Sequence, residues 1–233
     1  MSSEQPQATT QPTPITELTD PRAIQILSTE HWSLLSARSL AYNEAFTRGG
    51  MFLSFLSMSF VALALLSQAM TFGTQFLTVA AILMSFVLVI GLTTYGRISG
   101  ANVDDLRAMH GMARIRHAYT EVAPIVAPYF TTATHDDIDS VITGYGAPAI
   151  QSTLGFVLYG LTTSGGMIGL IVSMVGGVLA GILGLLVGVS GELAVWIGVI
   201  GGVIVFAVLL VTTLGSVPRA QAGMEARFPA PKE

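Results

Sequence analysis

The stretch GGMIGLIVSMVGGVLAGILGLLVGVSG, residues 165–191, decides the fold. It carries no charge and exceeds the roughly 20 apolar residues that suffice to cross a bilayer. Its small residues Gly166, Gly169, Ser173, Gly177, Gly181, Gly184 and Gly188 recur every three or four positions, so a helix stacks them along one side. In lipid such a face lets two helix backbones approach closely, and packing then drives association. The stretch reads as a membrane span that lies against another helix. The face continues in residues 193–215 through Ala194, Gly198 and Gly202, and turns bulky at Val205, Phe206 and Leu209. The last two spans are therefore expected to be closest near the turn that joins them. Spacing alone leaves open whether the partner helix is in the same chain or in another copy; a homo-oligomer is the expectation.

Composition supports a membrane protein. Of the 233 residues, 52% are hydrophobic and 10% charged, against a usual charged share of about 25%. The net charge of −4 suggests no nucleic-acid partner. The absence of cysteine excludes disulfides, thiolate metal sites and cysteine nucleophiles. No basic region followed by an early apolar run is present, so no cleavable signal is expected.

Working outward, residues 1–19 are rich in Ser, Gln, Thr and Pro and read as a disordered tail. Asp20-Pro21 is a helix start, with Asp to cap and Pro at the first helical position. Residues 20–48 then read as one or two amphipathic helices, at the membrane surface or packed on partner helices. Residues 49–96 hold two spans, 51–70 and 75–95, joined by Thr71-Phe72-Gly73-Thr74. Two mildly polar stripes, Ser54, Ser57, Ala64 and Gln68 on the first and Thr78, Ala81 and Ser85 on the second, either line a wet path or have hydroxyls that bond their own helix or an adjacent one. Residues 97–164 read as a cytosolic helical segment, of which residues 97–139 are the largest charged block. Asn102, Asp104 and Asp105 read as a cap and acidic first turn of a helix that stops before Pro124. His135-Asp136-Asp137 opens a second short helix that ends near Gly144, and residues 147–163 are apolar but broken by Gly155 and Gly160. Residues 165–217 form the glycine-rich second hairpin, and 218–233 a short polar tail.

The cations set the expected topology. Three Lys/Arg precede the first span, four lie between the second and third, and three follow the fourth. Basic residues gather on the cytoplasmic side, so both termini are expected in the cytoplasm, in the plasma (inner) membrane. The fold expected is all-α: four transmembrane helices as two hairpins, with amphipathic cytosolic or interfacial helices.

Site chemistry is sparse. No phosphate loop, dinucleotide fingerprint, metalloprotease motif or serine elbow is present. His110, Arg114, His117 and Glu121 share one helical face, read as a surface for assembly or gating. Two histidines seven apart with an arginine between them do not suit a metal. Glu192 is the only charge expected on the outer side: either an exposed turn residue or, in a ring of copies, a carboxylate collar attracting cations. The spans contain no Asp, Glu, Lys, Arg or His, which weighs against an ion-coupled carrier. No enzyme activity, cofactor or metal is expected.

Residues 26–51, ILSTEHWSLLSARSLAYNEAFTRGGM, and 108–130, AMHGMARIRHAYTEVAPIVAPYF, resemble a group of uncharacterised actinobacterial integral membrane proteins. That resemblance implies location and brings no activity. The order helix, two spans, helix is similar to the two-span SLATT-type effector domains of bacterial conflict systems, which implies a membrane pore operated by a partner. The glycine-rich hairpin lies outside that pattern. The expected function is an oligomeric channel or pore; the alternative is a non-conducting scaffold or accessory subunit with other membrane-protein partners.

Overall fold

The computed structural model describes residues 15–70, 72–144, 153–221 and 223–231. The expected tail up to residue 14, Thr71 of the first turn, residues 147–152 of the apolar segment, and residues 222, 232 and 233 lie outside them.

The described residues are helical. α1 is Pro21–Ala69, α2 Thr74–Val122, α3 Ile138–Gly144, α4 Thr153–Thr162, α5 Ser164–Leu186 and α6 Gly191–Gln221, with a 3-10 turn at Pro124–Tyr129. Four of them, α1, α2, α5 and α6, are long and apolar enough to cross a membrane.

Local signals set the expected ends. The Asp20 side chain accepts the Arg22 amide at 2.8 Å with Pro21 at the first helical position. α2 stops two residues before Pro124, and Asp137 caps α3 by accepting the Ser140 amide at 3.0 Å.

Two sequence expectations are corrected. α1 and α2 are each one unbroken helix of 49 residues, rather than a span plus a separate amphipathic helix. Asn102, Asp104 and Asp105 therefore sit mid-helix and cap nothing. The reason is tertiary: the Asp105 carboxylate is taken by Arg38 and by the Tyr42 hydroxyl at 3.0 Å, so it cannot turn back on its own backbone. At 1.5 Å per residue each helix is about 74 Å long, against about 30 Å of bilayer hydrocarbon, so some 40 Å projects as a two-helix rod. The second correction is α6, which runs past Pro218 to Gln221.

Antiparallel pairing follows from the contacts. Arg38 meets Asp105, Glu44 meets Arg97 at 2.6 Å, and Phe52 meets Gly91, in opposite order along α1 and α2. α5 runs antiparallel to α2: Gly165 lies against Asn102, Gly169 against Tyr95 and Val172 against Gly91. α6 returns along α5. At Gly91 three helices converge, since a Cβ there would lie 2.8 Å from Val172 and 2.9 Å from Phe52. Phe52, Met84, Val87 and Val172 are the fully buried centre. Ser54, Thr78 and Ser85 each donate to the carbonyl four residues back, so these hydroxyls bond their own helices.

The small-residue face is occupied within the chain. A Cβ on Gly177 would lie 2.6 Å from the Gly198 carbonyl oxygen and 3.2 Å from the Gly202 backbone. Gly181 meets Ala194 and Gly198, Gly184 meets Ala194 and Ile197, and Gly202 meets the Ser173 carbonyl. Gly166 instead packs on Gly160 of α4, where Thr163 breaks the chain and caps α5. Gly188 does not join this face: its φ is +88° and no neighbour lies within 4 Å, because it ends α5 in a left-handed turn.

Gly177→Ala should force α5 and α6 apart and lower stability by about 1–3 kcal/mol, the usual cost of overpacking. Gly96→Ala, where a Cβ meets nothing within 4 Å, should be neutral or slightly stabilising. Thermal melting of both variants in the same detergent checks the pair; equal melting temperatures would remove the close contact from the account.

Candidate functional site

The rod ends in a cluster built around Asp136. The loop after the 3-10 turn carries Asp136 back over the last turns of α2. Its side chain has no exposed surface. A buried carboxylate needs partners, and these come from two directions. Arg114 of α2 donates Nε to Oδ2 at 2.7 Å. The C-terminal segment, residues 223–231, supplies the rest: Arg227 N–H donates to Oδ2 at 2.9 Å and Phe228 N–H to Oδ1 at 2.7 Å. The Asp136 amide returns a bond to the Phe228 carbonyl at 3.2 Å. Asp137 accepts the Ala230 amide at 2.9 Å, and a second Arg114 nitrogen donates to the Glu225 carbonyl.

The segment is thus a strap. Its side chains contribute little apart from Phe228, whose ring stacks on His117 at 4.3 Å between centroids. His135 lies beyond, 5.8 Å from His117, and His117 Nε2 is 3.4 Å from Glu121. His110 Nε2 stands 3.8 Å from Asp136 Oδ2 and has no hydrogen-bond partner.

The electrostatics follow from this geometry. Burial alone would raise the Asp136 pKa. The Arg227 amide, the Arg114 guanidinium and the Phe228 amide together outweigh it and hold the carboxyl below the ordinary aspartate range. The strap's hold through this group is therefore complete at neutral pH and is lost only as pH falls through that depressed value. For His110, burial and then the Arg114 charge push the pKa down, while Asp136 pulls it up. The ring is neutral at pH 7.

The sequence placed His110, Arg114, His117 and Glu121 on one face, and they do share it. The chain's own C-terminal segment packs on this face at Arg114 and His117, and Glu121 stays exposed. The only sequence signal was Arg227-Phe228, one aromatic and one cation in an otherwise plain stretch. Asp136, expected with His135 and Asp137 to open α3, is instead the most buried charge among the described residues. Glu192 lies exposed in the first turn of α6, remote from this cluster. Along α5 and α6 an open groove of about 710 Å³ is walled by Leu170, Met174, Val178, Val199, Val203 and Phe206, all apolar. Among the described residues no group of three metal-ligating side chains converges, and Arg114 inside the Asp136 cluster would repel a cation.

Asp136→Ala should free the strap: two amides lose their acceptor and Arg114 loses its counter-charge, a loss of order 3 kcal/mol for breaking a buried pair. Hydrogen exchange at Arg227, Phe228 and Ala230 reads this directly; unchanged protection would show that Asp136 does not hold the strap. Compared with known protein families, with curated proteins and with solved structures, the chain matches none.

Proposed function

We propose that the chain is a non-enzymatic multi-pass membrane scaffold, or an accessory subunit of a larger membrane complex, that presents a two-helix rod in the cytoplasm. Under this reading α1–α2 and α5–α6 are two transmembrane hairpins of the plasma (inner) membrane with both termini inside. The clustering of all ten Lys/Arg outside the spans and away from the two short turns supports that orientation.

One observation carries the choice over a pore. The small-residue face, the feature that most favours assembly into a ring, already makes close contacts to α6, α2 and α4 of the same copy, with an open groove beside Gly177, Gly181, Gly198 and Gly202. The rod offers a separate surface to other subunits, where Trp32 is 64% and Leu40 70% exposed. Large apolar side chains standing in water suit a protein partner.

An oligomeric channel is the second reading. It draws support from α6, of whose span only 11% is buried, leaving most of that helix for lipid or for neighbouring copies. In such a ring Glu192 would face the outer mouth.

Planar-bilayer recording of the purified protein, with its oligomeric mass in detergent, decides between the two. The scaffold reading expects no discrete currents and co-purification of other membrane proteins. Selective single-channel steps from a ring of fixed size would overturn it. In that event Glu192→Gln should reduce cation preference, measured as a shift in reversal potential under a salt gradient.

A further inference from the structure

All four histidines of the chain lie toward the far end of the rod, and His117 touches the strap. His31 of α1 lies near Arg116 of α2. His110 and His117 are on α2, and His135 is in the loop beside Asp136. Three of them, His31, His110 and His135, bury a ring nitrogen that has no hydrogen-bond partner. Burying an unpaired polar atom costs free energy. Three at one end, in a protein whose other described side chains leave none, form a cluster rather than a scatter.

We infer that the C-terminal strap is an acid-released latch, with His110 as the group whose protonation unfastens it.

The mechanism rests on competition for one oxygen. Asp136 Oδ2 already accepts from Arg114 at 2.7 Å and from the Arg227 amide at 2.9 Å. His110 Nε2 waits 3.8 Å away, too far for a hydrogen bond. Once protonated, Nε2 becomes a cationic donor aimed at that oxygen. The carboxylate shifts toward it, and the Arg227 amide, a neutral donor, is the weaker competitor. The same charge repels Arg114, whose second nitrogen holds the Glu225 carbonyl. Two of the strap's holds therefore weaken with one proton.

The surrounding charges do not cancel this. From its own helix His110 faces Arg114, and from the loop it faces Asp136. Asp137 is engaged by Ala230 and Ser140, and Glu121 lies against His117. On the α1 side His31 has Arg116 beside it, so a proton there is resisted as well. From the strap, Arg227 and Glu225 present main-chain atoms to the cluster.

The sign is fixed by what occupies Asp136. Burial and Arg114 favour neutral His110 while the strap is docked and the Arg227 amide holds Oδ2. Undocking frees that oxygen to stabilise a protonated His110, whose pKa then returns toward the ordinary value near 6.5. Docking is therefore strongest above that value and weakens as pH falls through it toward the depressed docked value. One proton changes the docking constant by up to about tenfold between pH 7.5 and 5.5. This window lies well above the one in which Asp136 itself titrates.

The test is hydrogen exchange of the full chain in lipid nanodiscs at pH 7.5 and 5.5, wild type beside His110→Gln. Comparing the two proteins at each pH cancels the chemical pH dependence of exchange. The wild-type protection of the Arg227, Phe228 and Ala230 amides, relative to the variant, should fall by up to about tenfold on acidification. A ratio that stays constant would overturn the latch. Should glutamine at 110 unsettle the rod, the wild type alone decides. Strap protection must then fall relative to that of Ala45, a buried α1 residue, and parallel behaviour of the two sites would equally overturn the proposal.

Discussion

The contact on which this bundle depends is the approach of two backbones at Gly177 and Gly198. Lipid tails are as apolar as leucine, so burying apolar side chains between membrane helices yields no hydrophobic gain. Dispersion must hold the helices together, and dispersion falls steeply with a gap of less than an ångström. Glycines on both helices remove the side chains that would hold the axes apart, and a Cβ at Gly177 would reach 2.6 Å from the facing carbonyl. α5, positioned this way against α6, turns its other side to α2. Gly169 there receives the Tyr95 ring, and Val172 fills the gap left by Gly91. The Tyr95 hydroxyl then crosses to Thr213 and to the Leu209 carbonyl of α6 at 3.1 Å. One close contact thus sets where four helices meet.

Outside the apolar region the rules reverse, and the rod is held by charge and by apolar burial together. Arg38 and Tyr42 on α1 close on the buried Asp105 of α2, which fixes the register of two long helices. Burial, then the adjacent carboxylate, push the Tyr42 phenol up, so it stays a proton donor to Asp105. A one-turn slip would leave Asp105 buried without a partner, which costs more than the pair itself contributes. Nearer the spans, Glu44 is held low first by Arg97 and also by Arg48. These groups are exposed, and their Coulomb energy is weak in water. The specificity of the rod therefore sits in Asp105.

The membrane class, the four spans and the glycine face were legible because each is a local pattern: uncharged length, and small residues at helical spacing. The Asp20-Pro21 start and the stop before Pro124 were legible for the same reason. The continuity of α1 and α2 was not. Asn102-Val103-Asp104-Asp105 looks like a helix start because its carboxylates suit free amides, and only a residue 67 positions away in sequence, Arg38, redirects Asp105. The strap was hidden by a further step. Its bonds to Asp136 and Asp137 use main-chain amides of Arg227, Phe228 and Ala230, and every residue except proline carries one. A recognition built on backbone leaves almost no trace in residue types. Gly188 misled for the converse reason: its spacing matches the packing stripe, but the turn after α5 requires its left-handed backbone.

The placement of the strap gives the rod and α6 a mechanical relation that apolar packing does not. α6 touches the rest of the bundle mainly through α5, and most of its span is uncovered. Near the base of the rod Tyr95 ties α6 to α2. Beyond the spans the strap ties the following residues to the same helix, at Arg114 and His117. Two ties to one helix reinforce the position and rotation that the glycine contact with α5 sets for α6. The outer tie is made of a handful of hydrogen bonds over mostly exposed chain, which places it among the least stable parts of a fold. The inner tie is half-buried. Loss of the outer one alone would therefore free the strap, while the glycine contact with α5 and the Tyr95 tie hold α6 in place and the rod keeps its register through Asp105.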